Sequence, residues 1–231
     1  MKKRTNVIFS HFSCKGNMSA HEAYKTLQSL PYSDDVGFGY DNIEELENVV
    51  YAILIKRTVT KILEYDSETK EFISREVPIY EEITFSMDFE KRLLYTYGVA
   101  TNHNRIKSAL RNTFDSPFTY AYIDSSPINI MDKITSNIRN YNIDEIAIQR
   151  FTHKNGAIGK YIAKITKQDI GKELIKEYLS EIQKISINIY EEDEFQLIIS
   201  ANNSISIKCE EDDFFKILEN IKSKIYGGLK L

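Results

Sequence analysis

Three side chains able to ligate a metal, or to act as nucleophile and base, lie within eleven residues: His11, Cys14 and His21. Structural zinc needs four ligands, and catalytic zinc needs three plus water. A fourth would have to come from Cys209 or a carboxylate. A Cys–His nucleophilic pair is the other chemistry this set allows. The plainer reading is preferred: Cys14 as a small apolar residue, with both histidines on the surface. The chain has only four His and two Cys, so few such arrangements can be built at all.

A second set is acidic. Asp34, Asp35, Asp41, Glu44, Glu45 and Glu47 fall in the stretch 31–47, which holds no Lys or Arg. Paired carboxylates can hold Mg²⁺ for phosphoryl chemistry, helped by a nearby lysine. Lys56 is the nearest. No compact Asp…Glu-x-Lys pattern appears, so a solvated loop is preferred.

Two further sets are basic. Arg150, Lys154, Lys160 and Lys164 lie in the stretch Arg139–Lys176, which has eight Lys/Arg and four Asp/Glu. Phe151 and Tyr161 are interleaved with them. Such a segment can follow a phosphate backbone and stack bases. The preferred alternative is a hairpin whose lysines guard a sheet edge. The other set is Lys56, Arg57, Lys61 and Arg75, on a long strand and its return. A two-stranded ribbon can reach a nucleic-acid groove or form a protein interface, and the residues do not separate these. The segment Tyr190–Glu219 is acidic, with nine Asp/Glu against two Lys. It should repel nucleic acid and attract a basic partner.

Phosphate-binding glycine loops, Gly-x-Ser-x-Gly elbows, His-Glu-x-x-His and Cys-x-x-Cys are all absent. No catalytic residue, metal site or cofactor is therefore expected. Net charge is −4, which weighs against a dedicated nucleic-acid binder. Two cysteines suit a reducing compartment. The N-terminus has too short an apolar run for a signal peptide, and no window suggests a membrane span. A cytoplasmic protein is expected, with no membrane association.

The elements that would hold these groups follow from periodicity. Ile (33) far outnumbers Ala (10), which favours strands. AT-rich codons explain the bias equally well and would point to a low-GC bacterium or its mobile elements. Residues 5–9 read as a strand. Residues 19–29 read as a helix capped by Ser19 with Glu22. Pro31–Glu47 reads as a loop. Val49–Tyr65 reads as a strand with Ile53, Ile55, Val59 and Leu63 on its buried face and Lys56, Thr58 and Thr60 opposite. On that parity Arg57 and Lys61 share the apolar side, as if the strand leaves the core there. Asp66–Lys70 is a turn, and Glu71–Tyr80 returns, with Pro78 marking an edge or bulge. Ile83–Met87 and Leu93–Tyr97 form a second hairpin, and Thr101–Phe114 a covering helix. Phe118–Ile123 reads as a strand and 128–139 as a helix.

The second half reads as strands Ile143–Thr152 and Lys160–Thr166 around Asn155-Gly156. A helix runs from Asp169 to Lys184. Strands Ile185–Tyr190, Phe195–Ser200 and Ile205–Cys209 follow. A last helix from Asp212 or Asp213 ends at Gly227-Gly228. The fold class is α+β: antiparallel hairpins with amphipathic helices on one face, in two successive sheet-plus-helix units. The boundary falls near residue 140, giving 1–140 and a ββαβββα unit over 141–231.

The hairpins at Tyr65–Phe72 and Phe85–Leu93, followed by a helix, resemble the layout of the RdgC-like group. That group includes DNA-binding recombination-associated proteins and a subunit of a bacterial anti-phage system. The resemblance covers about residues 49–114 and carries over no functional residue. Members of the group are longer and bind DNA through a basic ring, from which this acidic chain departs. The expected function is a non-enzymatic accessory subunit of a bacterial complex, in anti-phage defence by that resemblance, with protein partners. The alternatives are a nucleic-acid-binding module using 139–176 and a metal-dependent nuclease.

Overall fold

The computed structural model describes residues 2–14, 16, 18–114, 118–152, 156 and 158–226. The fold is α+β, with antiparallel strand pairing and, among the described residues, five α-helices. No helix among the described residues is long and apolar enough to cross a membrane.

The chain divides into two compact units that are discontinuous in sequence. The first takes residues 1–11, 97–103 and 120–231, and the second residues 12–96 and 104–119. The first unit thus draws on both sides of residue 140.

The second unit is built from hairpins. It holds α1 (Ala20–Gln28), β2 (Phe38–Leu46), β3 (Val49–Asp66), β4 (Glu71–Asp88), most of β5 (Leu93–Tyr97) and most of α2 (Ala100–Thr113). The strand β1 (Lys3–Ser13) contributes its last two residues. Ser19 caps α1, and its hydroxyl accepts from the Glu22 amide while the Glu22 carboxylate accepts from the Ser19 amide, a complete capping box. The strand order is β2-β3-β4-β5, antiparallel throughout. Its core includes Tyr40, Val50, Leu54, Ile83, Phe85, Met87, Ile106 and Leu110, all buried.

Three expectations change here. The acidic stretch expected as a loop contains β2, because Phe38–Leu46 pairs its backbone with the outer edge of β3. Pairing needs backbone groups rather than apolar side chains, and of the carboxylates Asp41 and Glu44 point to solvent. A bulge between Asp41 and Glu44, with Asn42 at φ 46°, absorbs the irregular sequence. Next, Glu71–Tyr80 and Ile83–Met87 are one strand, since nothing between them turns the chain. Third, the buried parity of β3 is the reverse of that expected. Val50, Ala52 and Leu54 are buried, whereas Val59 and Leu63 are exposed.

The first unit pairs β1 with β11 (Ser204–Cys209), then continues β10 (Glu194–Ser200), β9 (Ile182–Tyr190), β7 (Tyr141–Thr152) and β8 (Ile158–Lys164). Its remaining elements are α3 (Pro127–Thr135), α4 (Gln168–Glu177), α5 (Phe214–Tyr226) and most of the short strand β6 (Thr119–Ala121). Ile185, Ile187 and Ile189 alternate inward on β9, as do Leu197 and Ile199 on β10 and Ile205 and Ile207 on β11. Ile217, Leu218, Ile221 and Ile225 form the buried stripe of α5. The expected helix to Lys184 ends at Glu177: Tyr178 leaves helical geometry, a 3-10 turn covers Leu179–Glu181, and Ile182 already opens β9. The expected stop at Gly227-Gly228 lies outside the described residues.

Candidate interaction surface

The ribbon β3–β4 pairs eighteen residues of each strand in continuous register, from Val49 opposite Asp88 to Asp66 opposite Glu71. Its closing turn is held by Asp66, whose Oδ1 accepts from the Glu68 amide at 2.8 Å and the Thr69 amide at 3.4 Å. The bond from Glu68 holds the Asp66 carboxyl below the usual range. Strand β2 flanks β3 only as far as Lys56, and β5 flanks β4 only from Phe85. Between these limits the ribbon is two strands wide.

Both faces of that stretch meet solvent. Leu63 is 72% exposed, Phe72 70% and Tyr65 54%. Val59, Ile62, Ile73, Ile79 and Tyr80 range from 44% to 51%. Tyr65 and Phe72 sit opposite each other, with ring centroids 5.4 Å apart in an edge-on pair. Fully burying a side chain of this size is worth about 1.5–3 kcal/mol, and the contiguous set leaves a large part of that unrealised. A two-stranded hairpin alone is marginal in water. Large exposed apolar patches mark interaction sites.

The four ribbon cations do not form one patch. Lys56 and Arg75 lie on the side that continues the core face, and Arg57 and Lys61 on the other. Lys61 Nζ pairs with Glu76 at 3.5 Å, and Arg75 Nη1 with Glu64 at 3.4 Å. Lys56 stands opposite Glu81 in register. Lys61 and Arg75 are thus matched within the ribbon, whereas Glu81 pairs with Arg105 of α2.

Arg57 belongs to a cluster at the ribbon base. Asp34 Oδ1 accepts from the Tyr32 hydroxyl at 2.7 Å and the Tyr80 hydroxyl at 3.1 Å, and Arg57 Nη1 donates to the Asp34 carbonyl at 3.3 Å. Close backbone packing sets Tyr32 there: a Cβ on Gly39 would come within 2.5 Å of the Tyr32 nitrogen. The Tyr32 bond, then that of Tyr80, lowers the Asp34 pKa. Desolvation and the bond to Asp34 push Tyr32 up to about 12. A lowered folded pKa gives stability that is full above the unfolded value, near about 3.9, and lost as pH falls through the folded one. NMR titration of the Asp34 carboxyl should give a pKa below the ordinary range, and Tyr32→Phe with Tyr80→Phe should move it back up.

The other candidate groups are placed as follows. Arg150, Lys160 and Lys164 are exposed on β7 and β8 and have no ion-pair partner among the described residues. Lys154 lies outside the described residues. Phe151 stacks on Tyr161 at 4.5 Å and contacts Tyr178 at 5.2 Å. By strand alternation Lys160 and Lys164 point to the face of β8 opposite Tyr161, so cations and stacked rings are not on one surface. Strand β8 ends the sheet order, where lysines discourage edge pairing.

His21 Nδ1 is 2.8 Å from Glu45 Oε2, and Arg92 Nη1 donates to Cys14 Sγ at 3.5 Å. Cys209 is buried, and desolvation raises its thiol pKa. Among the described residues, no group of three or more His, Cys, Asp or Glu could hold a metal ion. The acidic C-terminal turns are partly neutralised by Lys2–Glu194 at 3.6 Å, Lys3–Glu211 at 3.1 Å and Lys216–Asp193 at 2.6 Å. One contact had no signal in the sequence: Ser10 Oγ lies 2.9 Å from His103 Nε2, with both residues buried. Burial denies that pair a substrate.

Comparison with family models and with curated proteins finds no match to this sequence.

Proposed function

We propose that the chain is a non-enzymatic interaction subunit of a bacterial complex, docking a partner protein on the exposed faces of the β3–β4 ribbon. One observation carries the reading: from Arg57 to Tyr80 the ribbon exposes large apolar side chains on both faces, while Lys61 and Arg75 are paired with acids across the ribbon. A phosphate-binding surface needs cations left free to neutralise phosphates, and two of the ribbon's cations are already paired. Aromatic anchors ringed by polar groups are the usual centre of a protein interface. The resemblance to the RdgC-like group suggests phage defence as the setting.

The test is affinity capture from the native host with the intact chain and with Leu63→Ser, Tyr65→Ser and Phe72→Ser combined. These side chains are exposed, so the fold should hold, as far-UV circular dichroism would report. Partner affinity should fall at least about thirtyfold, the effect of losing a hot spot of about 2 kcal/mol. Equal capture by both chains would overturn the assignment to the ribbon.

A further inference from the structure

The two edges of the ribbon are not equivalent, and the difference selects one for strand addition. In an antiparallel pair, residues alternate between exchanging both hydrogen bonds with the opposite residue and pointing both groups outward. Pro78 stands opposite Val59 and has no N–H to exchange. Val59–Pro78 is therefore a non-hydrogen-bonded pair. The odd-numbered residues of β3 direct their N–H and C=O away from β4. The Arg57 amide confirms this parity, donating outward to the Gly37 carbonyl at 2.8 Å.

Beyond Arg57 no strand flanks that edge among the described residues. Val59, Lys61, Leu63 and Tyr65 thus present backbone donors and acceptors outward. The β4 edge also lacks a neighbour before Phe85, but Pro78 removes a donor from its middle. Proline on an edge blocks strand addition. The β3 edge carries no such block.

We propose that the β3 edge, Thr58–Asp66, pairs antiparallel with the same segment of a second copy of this chain. The free stretch begins just after the residue bonded to Gly37 and ends at the turn, and its midpoint is Ile62. Using its full length therefore puts Ile62 on the two-fold axis. In that register Val59 meets Tyr65 of the second copy, Lys61 meets Leu63, Thr60 meets Glu64 and Thr58 meets Asp66. No like charges stand opposite each other. The outward-pointing residues also fall opposite one another, as hydrogen-bonded pairs require. Ile62 meets Ile62 in a non-hydrogen-bonded pair, where side chains approach most closely. The interface is isologous, so it closes as a dimer rather than growing into a fibre. It uses the ribbon's edge, whereas the docking proposed above uses its faces.

Light scattering coupled to size exclusion on the full chain should report twice the chain mass, with a monomer appearing on dilution. Ile62→Lys would set two ammonium groups opposite each other, and should raise the dimer dissociation constant at least about tenfold. Lys61→Pro removes an outward N–H without touching the ladder to β4, and should do the same. Ile62→Cys should cross-link into a dimer on oxidation, beyond any background from Cys14 and Cys209. Thr58→Cys, which meets Asp66, should not. A natively folded monomer at every concentration overturns the proposal. So does a dimer unaffected by Ile62→Lys and Lys61→Pro. Neither result bears on partner capture, which fails or stands on its own variants.

Discussion

Replacing Asn203 with alanine is expected to destabilise the first unit by roughly 3 kcal/mol or more. Asn203 is buried and sits at φ 60° in the tight turn between β10 and β11. Its Oδ1 accepts from the Ile123 amide at 2.6 Å and the Asp124 amide at 3.2 Å, and its Nδ2 donates to the Asp124 carbonyl at 2.7 Å. One side chain thus satisfies three backbone groups of a distant segment. Alanine would leave them unpaired in a site too enclosed for easy hydration, at about 1–3 kcal/mol per group. It would also lose the tolerance of asparagine for the left-handed region. Asn203→Gly separates the effects, because it keeps the backbone freedom and loses only the side-chain bonds. Urea titration by circular dichroism should rank the native chain above Asn203→Gly, with Asn203→Ala lowest. Amide exchange at Ile123 and Asp124 should accelerate in both variants. Unchanged protection there would contradict the assignment.

Phe85→Ala should cost about 3–5 kcal/mol, the range for deleting a fully buried aromatic ring. Phe85 is 0% exposed, lies opposite Ala52, and packs its ring against Tyr40 at 6.1 Å. Tyr40 in turn shares a hydrogen bond with Thr113 at 2.7 Å, so the cavity would open beside a buried hydroxyl. Hydrogen exchange should show the loss at Val50, Ala52 and Leu54 in the second unit. By contrast, Phe72→Ala on the same strand should leave stability within about 0.5 kcal/mol, since its ring is mostly in water. Two Phe→Ala changes on one strand thus give opposite outcomes, and the comparison checks where the core ends.

The strands of the second half were legible because their alternation is clean. Ile185, Ile187 and Ile189 leave one choice of inward face, and the structure takes it. Strand β3 was legible as a strand but not in its orientation. Apolar residues occur on both of its parities, and side-chain type alone favours the branched set Ile53, Ile55, Val59 and Leu63. The packed environment instead receives Val50, Ala52 and Leu54, where the small Ala52 accommodates Phe85 opposite. Strand β2 was hidden for a different reason. Its ladder depends on backbone groups offered by β3, and an acidic outer strand carries little hydrophobic period. The turn at Asp66 was visible from its polar run. The pairing of Lys61 with Glu76 and Arg75 with Glu64 was not, because cross-strand partners depend on register.

The sequence by itself determined that the chain is α+β and that it carries a long hairpin after Val49. Those properties are local: period, capping and turn chemistry act over a few residues. Only the tertiary structure decided that the ribbon is two strands wide beyond Arg57, with apolar side chains on both faces and one unblocked edge. Whether a strand has a neighbour depends on where other segments of the chain stop, and here β2 stops at Phe38, beside Lys56. The four cations of the ribbon are divided by the same geometry, two to a face, and two of them, Lys61 and Arg75, are paired with acids. That leaves the apolar faces and the β3 edge as the surface on which function is proposed.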